Sequence, residues 1–355
     1  MRILHVITSL YTGGAESLVS QIAPMIRDNG HHVEVACFIG KKTPFMQALT
    51  DKGITVHSFA ENCSVYDPRI IPWLRRLMKD FDIVHTHNSS PQYFAAIAAK
   101  GLDCRLVTTE HNSNNRRRKW LLGRILDRWL FSRYETTICI AEIAEKNLRG
   151  LLGDLPGICT VNNGIDINRF ANAPAIEEPG SNGHKIITMV AGFRHQKDQD
   201  TLIRALALLP SRFVVNLAGT GERMQQCREL ARTEGVEDRV RFLGLRMDVP
   251  AVLKASDYVV MSSHYEGLSL SSVEGMASGR PMIASDVDGL REVVKDAGIL
   301  FEHGNARQLA DEILRLDSDR NYYDSIAERC RRRAMDYDIS VMVGKYCAIY
   351  DSNIN

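Results

Sequence analysis

His264-Tyr265-Glu266-Gly267-Leu268-Ser269-Leu270-Ser271-Ser272-Val273-Glu274-Gly275 sets two carboxylates eight positions apart, with a glycine and small polar residues between them. Downstream, Met276-Ala277-Ser278-Gly279 reads as a helix end, and Arg280-Pro281-Met282-Ile283-Ala284-Ser285 as a turn into a buried strand. Glu266 therefore falls in a loop and Glu274 in the opening turns of a helix that starts between Ser269 and Ser272. The free backbone N–H groups of that helix end face whatever the loop holds. Such an arrangement suits a ligand with both anionic oxygens and hydroxyls. Amides and helix dipole would take a diphosphate, and the two glutamates would accept hydrogen bonds from sugar or ribose hydroxyls.

Outward from this stretch, strand-like and helix-like patterns alternate. Apolar runs of strand length stand at residues 3–8, 32–38, 83–87, 106–110 and 135–140, with helical periodicity over 15–29, 68–79 and 91–100. A second series runs through 185–191, 213–218, 240–243, 258–261 and 281–284, continued by the charged helix 306–316. The alternation predicts βαβ units and doubly wound parallel sheets, an α/β fold. A polar, Pro/Gly/Ser-rich segment at 171–183 reads as a linker between a first domain, 1–170, and a second, 184–335. An amphipathic helix lies within 336–355. At 355 residues, two cores are the default.

The net charge of +1 makes no general case for nucleic acid. Residues 1–165 carry 20 Lys and Arg against 15 Asp and Glu, a weak hint of an anionic surface or partner. Eight scattered cysteines with no Cys-x-x-Cys point to a reduced, cytoplasmic compartment, without a zinc site or disulfide framework. The N-terminus reads as a first strand, not a signal peptide. No apolar run reaches about 18 residues, so no membrane span is expected.

Several loops follow strands at the end where open α/β sheets bind ligands. Gly13-Gly14 lets backbone approach an anion or sugar, but no Gly-x-Gly-x-x-Gly fingerprint accompanies it, and a dehydrogenase fits poorly. His85, His87 and His111 also close strands. The His-x-His spacing alone makes only a weak metal site, because no carboxylates cluster with it. Arg194 and Lys197 follow the second domain's first strand, where they would neutralise a diphosphate, Arg as a planar fork and Lys as a point charge. Ala218-Gly219-Thr220-Gly221-Glu222 is a further glycine loop, suited to packing base or ribose more than to binding phosphate, and Asp166 reads as a helix cap or a cleft-edge hydrogen bonder, not a catalyst.

Glu266-x7-Glu274, with Ser262-Ser263 before it and Gly279-Arg280-Pro281 after it, resembles the Glu-x7-Glu motif of the retaining glycosyltransferases of family 4. Asn163-Gly164-Ile165-Asp166 resembles their interdomain signature. The resemblance implies the GT-B fold, two Rossmann-like domains facing across a cleft, with the terminal helix crossing back onto the first. It implies transfer of a sugar from a UDP- or GDP-sugar, UDP favoured, to a lipid-linked or growing surface saccharide. Catalytic roles fall to His111, Arg194, Lys197 and Glu266. Donor binding falls to Gly219, Gly267, Leu268, Ser269, Leu270 and Glu274, together with Gly13 and Gly14 in the glycine loop of the acceptor-side domain. The donor is a substrate, so no cofactor is expected, and with no Asp-x-Asp at a strand end no metal either. One departure concerns the arginine. Many members place it five positions before the lysine, where this chain has Gly192 and offers Arg194 instead.

From Arg116-Arg117-Arg118-Lys119-Trp120 to Arg133 lie seven basic residues and one acid, with apolar residues at helical spacing. Two readings stand: a helix packing its stripe on the sheet, and a basic tip held at an anionic membrane on the inner face of the cell. Rivals to a transferase are a hydrolase using both glutamates, an epimerase of the same fold, and a non-catalytic nucleotide-sugar-binding protein. Two acids from one short segment do not flank a scissile bond, which disfavours the hydrolase.

Overall fold

The computed structural model describes residues 1–11, 13–111, 121–153, 155–175 and 183–352. The basic run Arg116 to Lys119 and residues 176–182 of the expected linker lie outside them. Two compact units emerge, Met1–Asn162 with Ser340–Asn355, and Asn163–Ile339.

Unit 1 begins with β1 (Arg2–Ser9), α1 (Gly14–Asp28), β2 (His32–Ile39), α2 (Pro44–Asp51), β3 (Thr55–Ala60) and α3 (Ile70–Met78). It continues through β4 (Ile83–His87), α4 (Ser89–Ala98), β5 (Arg105–Glu110), α5 (Leu121–Phe131), β6 (Thr136–Cys139), α6 (Glu142–Leu152) and β7 (Ile158–Thr160). Its seven-stranded sheet has the order β3-β2-β1-β4-β5-β6-β7, with every pairing parallel.

Unit 2 runs through α7 (Ile167–Ala171), β8 (Lys185–Val190), α8 (Gln199–Leu208), β9 (Phe213–Ala218), α9 (Met224–Thr233), β10 (Val240–Gly244) and α10 (Val249–Lys254). There follow β11 (Tyr258–Met261), α11 (Leu270–Ala277), β12 (Met282–Ser285), α12 (Arg291–Val294), β13 (Ile299–Phe301), α13 (Ala306–Ser318) and α14 (Arg320–Met335). The second sheet, β10-β9-β8-β11-β12-β13, is also parallel throughout. The expected doubly wound α/β architecture is therefore present twice.

Central strands β9, β11 and β12 are buried along their whole length, so they read as continuous apolar runs. Helix starts carry their own caps: Thr43, Asp198, Asn305 and Asp319 each accept from the N–H three residues on. Asp166 caps α7 in the same way. The last helix, α15 (Ile339–Asp351), packs in unit 1, where Tyr346 and Tyr350 are fully buried. Tyr350 Oη bonds His85 Nδ1 at 2.6 Å, and Arg105 donates to the Tyr350 carbonyl at 2.6 Å. Burial of each tyrosine removes on the order of 150–250 Å² from water. That amounts to several kcal/mol before chain entropy is charged against it.

Candidate active site

In unit 2 the loops after β8 and β11 build one constellation. Past β8, residues His195–Lys197 form a single 3-10 turn, closed by Asp198 in left-handed backbone (φ 48°). The Asp198 carboxylate accepts from the Thr201 hydroxyl at 2.6 Å. Buried Ser262, just past β11, donates to the Asp198 carbonyl at 2.6 Å and so stitches the lysine turn to the strand leading to Glu266.

Lys197 Nζ donates to Glu266 Oε1 at 2.5 Å, and the Ser263 hydroxyl donates to the same oxygen at 2.6 Å. Gln196 Nε2 donates to the Tyr265 carbonyl at 2.9 Å and reaches Glu266 Oε2 at 3.4 Å. The strand-end serine of β12, Ser285, fixes Ser263 by donating to its carbonyl at 2.6 Å. Glu266 is thus held in a ring of donors. Arg194 is exposed, and among the described residues no side-chain hydrogen bond or ion pair engages its guanidinium.

Ser269 is the N-cap of α11 and Leu270 its first residue, so the helix begins where the sequence places it. Glu274 sits half-buried in this helix. Burial pushes its carboxyl up to about 7, against the pull of Arg169. No hydrogen bond from the described residues reaches that carboxylate. Gly267 and Leu268 complete the loop, which the turn after β12 supports closely. At Gly289 (φ +78°) a Cβ would lie 2.4 Å from the Gly267 carbonyl oxygen. Gly219 (φ +142°) serves the neighbouring loops likewise, since a Cβ there would meet the Ala191 oxygen at 2.1 Å. Close backbone packing accounts for both glycines.

Three histidines lie beside this site. The His264 ring lies tilted 4.7 Å from that of His195, its Nδ1 bonds His303 Nε2, and Asp198 Oδ2 lies 3.9 Å from that Nδ1. Burial holds the His264 ring below the usual histidine range, with Asp198 opposing.

Unit 1 carries the remaining expected residues. Gly13 N-caps α1 in extended backbone, and the space where Gly14 would carry a Cβ is open. His111, just past β5, joins a buried chain: His5 Nδ1 bonds His87 Nε2 at 2.9 Å, and His87 Nδ1 bonds His111 Nε2 at 3.1 Å. His85 bonds Tyr350 and, at 2.8 Å, Thr109. Burial lowers His5 to about 3 and His111 to about 4, and holds His85 and His87 well below the usual range. All four rings are therefore neutral near pH 7.

Lys197, Glu266, Ser269, Leu270 and Glu274 thus belong to one unit, and Gly13, Gly14 and His111 to the other. Sequence reasoning did not single out His5, Gln196, Ser285, Gly289 or the buried tyrosines of α15. The only available signal was a histidine inside an apolar strand, and it gives no hint of a partner 82 residues away.

Residues 12–169 match the family described as Glycosyltransferase Family 4, and residues 174–333 that described as Glycosyl transferases group 1. The Escherichia coli UDP-Gal:alpha-D-GlcNAc-diphosphoundecaprenol alpha-1,3-galactosyltransferase is 27% identical, over 99% of this chain and 96% of that protein. The phosphatidyl-myo-inositol mannosyltransferase of Mycolicibacterium smegmatis is 25% identical, over 96% and 90%. Among solved structures, Anabaena Alr3699/HepE in complex with UDP superposes with a TM-score of 0.85 at 22% identity, over 99% of this chain and all of that one. With both domain types following one another along the chain and each folded on its own parallel sheet, the protein belongs to the family 4 glycosyltransferases, enzymes of GT-B fold.

Proposed function

We propose that the enzyme transfers a hexose from a UDP-sugar, with retention of configuration, to a lipid-linked or growing surface saccharide. The observation that carries this reading is the Lys197–Glu266 pair, set beside a helix N-terminus and a Glu274 with no hydrogen-bond partner among the described residues. Lys197, Arg194 and the first amides of α11 would stabilise the departing diphosphate, a task that needs fixed charge and dipoles and no metal or cofactor. Glu274 would accept from the ribose hydroxyls and Glu266 from hydroxyls of the transferred sugar. The anomeric C–O bond to the diphosphate breaks while the acceptor oxygen bonds the same face, and the acceptor proton passes to the leaving oxygen. His111, neutral in its pocket, would hydrogen-bond the transferred sugar or the acceptor. The E. coli relative's name supports a UDP-sugar donor and a diphosphoundecaprenol acceptor, and the Anabaena neighbour was solved with UDP and with UDP-glucose.

Acceptors of this class sit in a membrane. No helix among the described residues is long and apolar enough to cross one. Yet α5 exposes Ile125, Leu126 and Trp129 beside exposed Arg124 and Arg128, instead of packing its whole stripe inward. That mixture suits peripheral attachment to an anionic lipid surface. The deciding experiment for the donor is a thermal-shift screen against UDP-, GDP- and ADP-sugars, followed by NMR of the product's anomeric centre. Stabilisation by UDP-sugars and an α product from an α donor are expected. Free sugar as the sole product, or isomerised donor without an acceptor, would replace this reading with a hydrolase or an epimerase.

A further inference from the structure

Three loops converge at the carboxyl end of the unit 2 sheet and bring together residues far apart in sequence. Asp198 comes from the loop after β8, His264 from that after β11 and His303 from that after β13, across the strand order β8-β11-β12-β13. His264 Nδ1 faces His303 Nε2 directly, with the rings edge to face at 4.7 Å. One ligand atom from each of the three residues lies within 4.8 Å of the others.

We propose that Asp198, His264 and His303 form a site for a divalent transition metal of the zinc class. Zinc bonds nitrogen and oxygen at about 2.0–2.2 Å, which spaces neighbouring ligand atoms about 3.3–3.6 Å apart in a tetrahedron. The two imidazole nitrogens stand closer than that and the Asp198 oxygen farther at 3.9 Å, so on binding an ion the rings would part and the carboxylate would draw in. Thr201 already orients the carboxylate, its hydroxyl donating to the same Oδ2 at 2.6 Å and its N–H reaching Oδ1 at 3.4 Å, as outer partners of metal ligands do. The fourth position is open to water, or to His195, whose ring lies 4.7 Å from that of His264. Two imidazoles with one carboxylate select zinc, cobalt or nickel over magnesium and calcium, which prefer all-oxygen shells.

The site is separate from the residues assigned to sugar transfer but tied to them. Asp198 follows Lys197 directly, and the His264 N–H donates to the Gln196 carbonyl at 2.8 Å. A bound ion would therefore clamp the turn bearing Lys197 to the loop bearing Glu266. It would act as a brace on their geometry, taking no part in the chemical step.

Titration of the full-length, metal-stripped protein with Co²⁺ tests the proposal. One equivalent should give intense visible d–d absorption that Zn²⁺ abolishes and millimolar Mg²⁺ leaves intact, and Zn²⁺ should raise the melting temperature. His303→Ala, in an exposed loop, should keep the metal-free melting temperature. It should weaken Co²⁺ binding by more than about 10-fold, the loss that even an outer-shell partner can cause. No d–d absorption in the wild type would overturn the site. So would an unchanged spectrum in His303→Ala, which would place the ion elsewhere. The readout is metal binding, not turnover, so either result leaves the transferase reading to its own test.

Discussion

The ammonium of Lys197 and the carboxylate of Glu266 share a 2.5 Å hydrogen bond, although the transfer chemistry asks opposite things of them. In the proposed mechanism the lysine serves the diphosphate and the glutamate the sugar. Each holds the other in place, and Ser263 and Gln196 are positioned to keep Glu266 oriented when Lys197 turns to a phosphate.

Lys197→Ala should therefore lower kcat by about 10²–10³, the usual loss when one charge-stabilising donor is removed. Its melting temperature should change little, since Ser263 and Gln196 still serve Glu266. Glu266→Gln should lower turnover as well, and the double variant should lose less than the sum of the singles, because the two residues are in contact. Steady-state kinetics on the three variants check this. Turnover of Lys197→Ala within about twofold of wild type would remove the lysine from the mechanism.

Glu274 makes a pH prediction. Its folded-state pKa is raised from 4.5 to about 7 by burial. Below pH 4.5 both folded and unfolded forms are protonated and nothing is lost. Between 4.5 and 7 the unfolded chain ionises first, so stability falls as pH rises, by about 3 kcal/mol once the folded group is ionised too. Glu274→Gln should thus be more stable than wild type at pH 8 in urea unfolding. It should nevertheless bind UDP more weakly by calorimetry, having lost the carboxylate proposed to accept from ribose. Equal stability and equal UDP affinity in the two proteins would make Glu274 merely structural.

The histidine chain of unit 1 works in the other direction. Burial lowers His5 to about 3 and His111 to about 4, against an ordinary value of 6.5. Above pH 6.5 neither state is protonated. Below it the unfolded chain takes up protons that the fold refuses, at a cost of about 2 kcal/mol per imidazole by pH 5. Urea unfolding of wild type and His5→Val at pH 7 and pH 5 should show the variant losing less stability on acidification. Identical losses would mean that His5 titrates normally.

How much of this was legible beforehand follows from burial. Every strand read from the sequence is present, and the three that were not read, β3, β7 and β13, are all edge strands. An edge strand is covered on fewer sides, so its apolar pattern thins, as in the half-exposed residues of β3. The Glu266–Glu274 loop was readable because its chemistry lies in twelve consecutive residues. The His5–His87–His111 chain and the Asp198–His264–His303 group were not, since each is assembled by strand order and leaves no local pattern.

Transfer should persist in EDTA, reduced at most by loss of the brace on the Lys197 and Glu266 loops and restored then by Zn²⁺, because Lys197, Arg194 and helix amides are proposed to carry the diphosphate charge. Activity lost to the chelator and regained only with Mg²⁺ or Mn²⁺ would show that a hard cation completes the leaving-group site.

Vesicle sedimentation tests the membrane face. The protein should pellet with anionic but not with neutral vesicles. Binding should weaken with added salt, because each Lys or Arg near the surface contributes about 1 kcal/mol that is screened within a Debye length. Changing Ile125, Leu126 and Trp129 to Ser, or Arg116, Arg117, Arg118 and Lys119 to Ser, should each reduce it further. Equal binding to neutral vesicles, or no response to either set, would return this region to a packing role.

The bond from Tyr350 to His85 joins positions 265 residues apart. During synthesis on the ribosome, the sheet of unit 1 emerges early, but the helix that covers His85 and Thr109 arrives only after all of unit 2. A nascent chain must therefore wait with His85, Thr109 and the face beneath Tyr346 uncovered. Unit 2, closed by the backbone bridge between Ile165 and Asp338, has every strand in hand by then. The order of manufacture and the order of completion are reversed: the half made first is the half finished last.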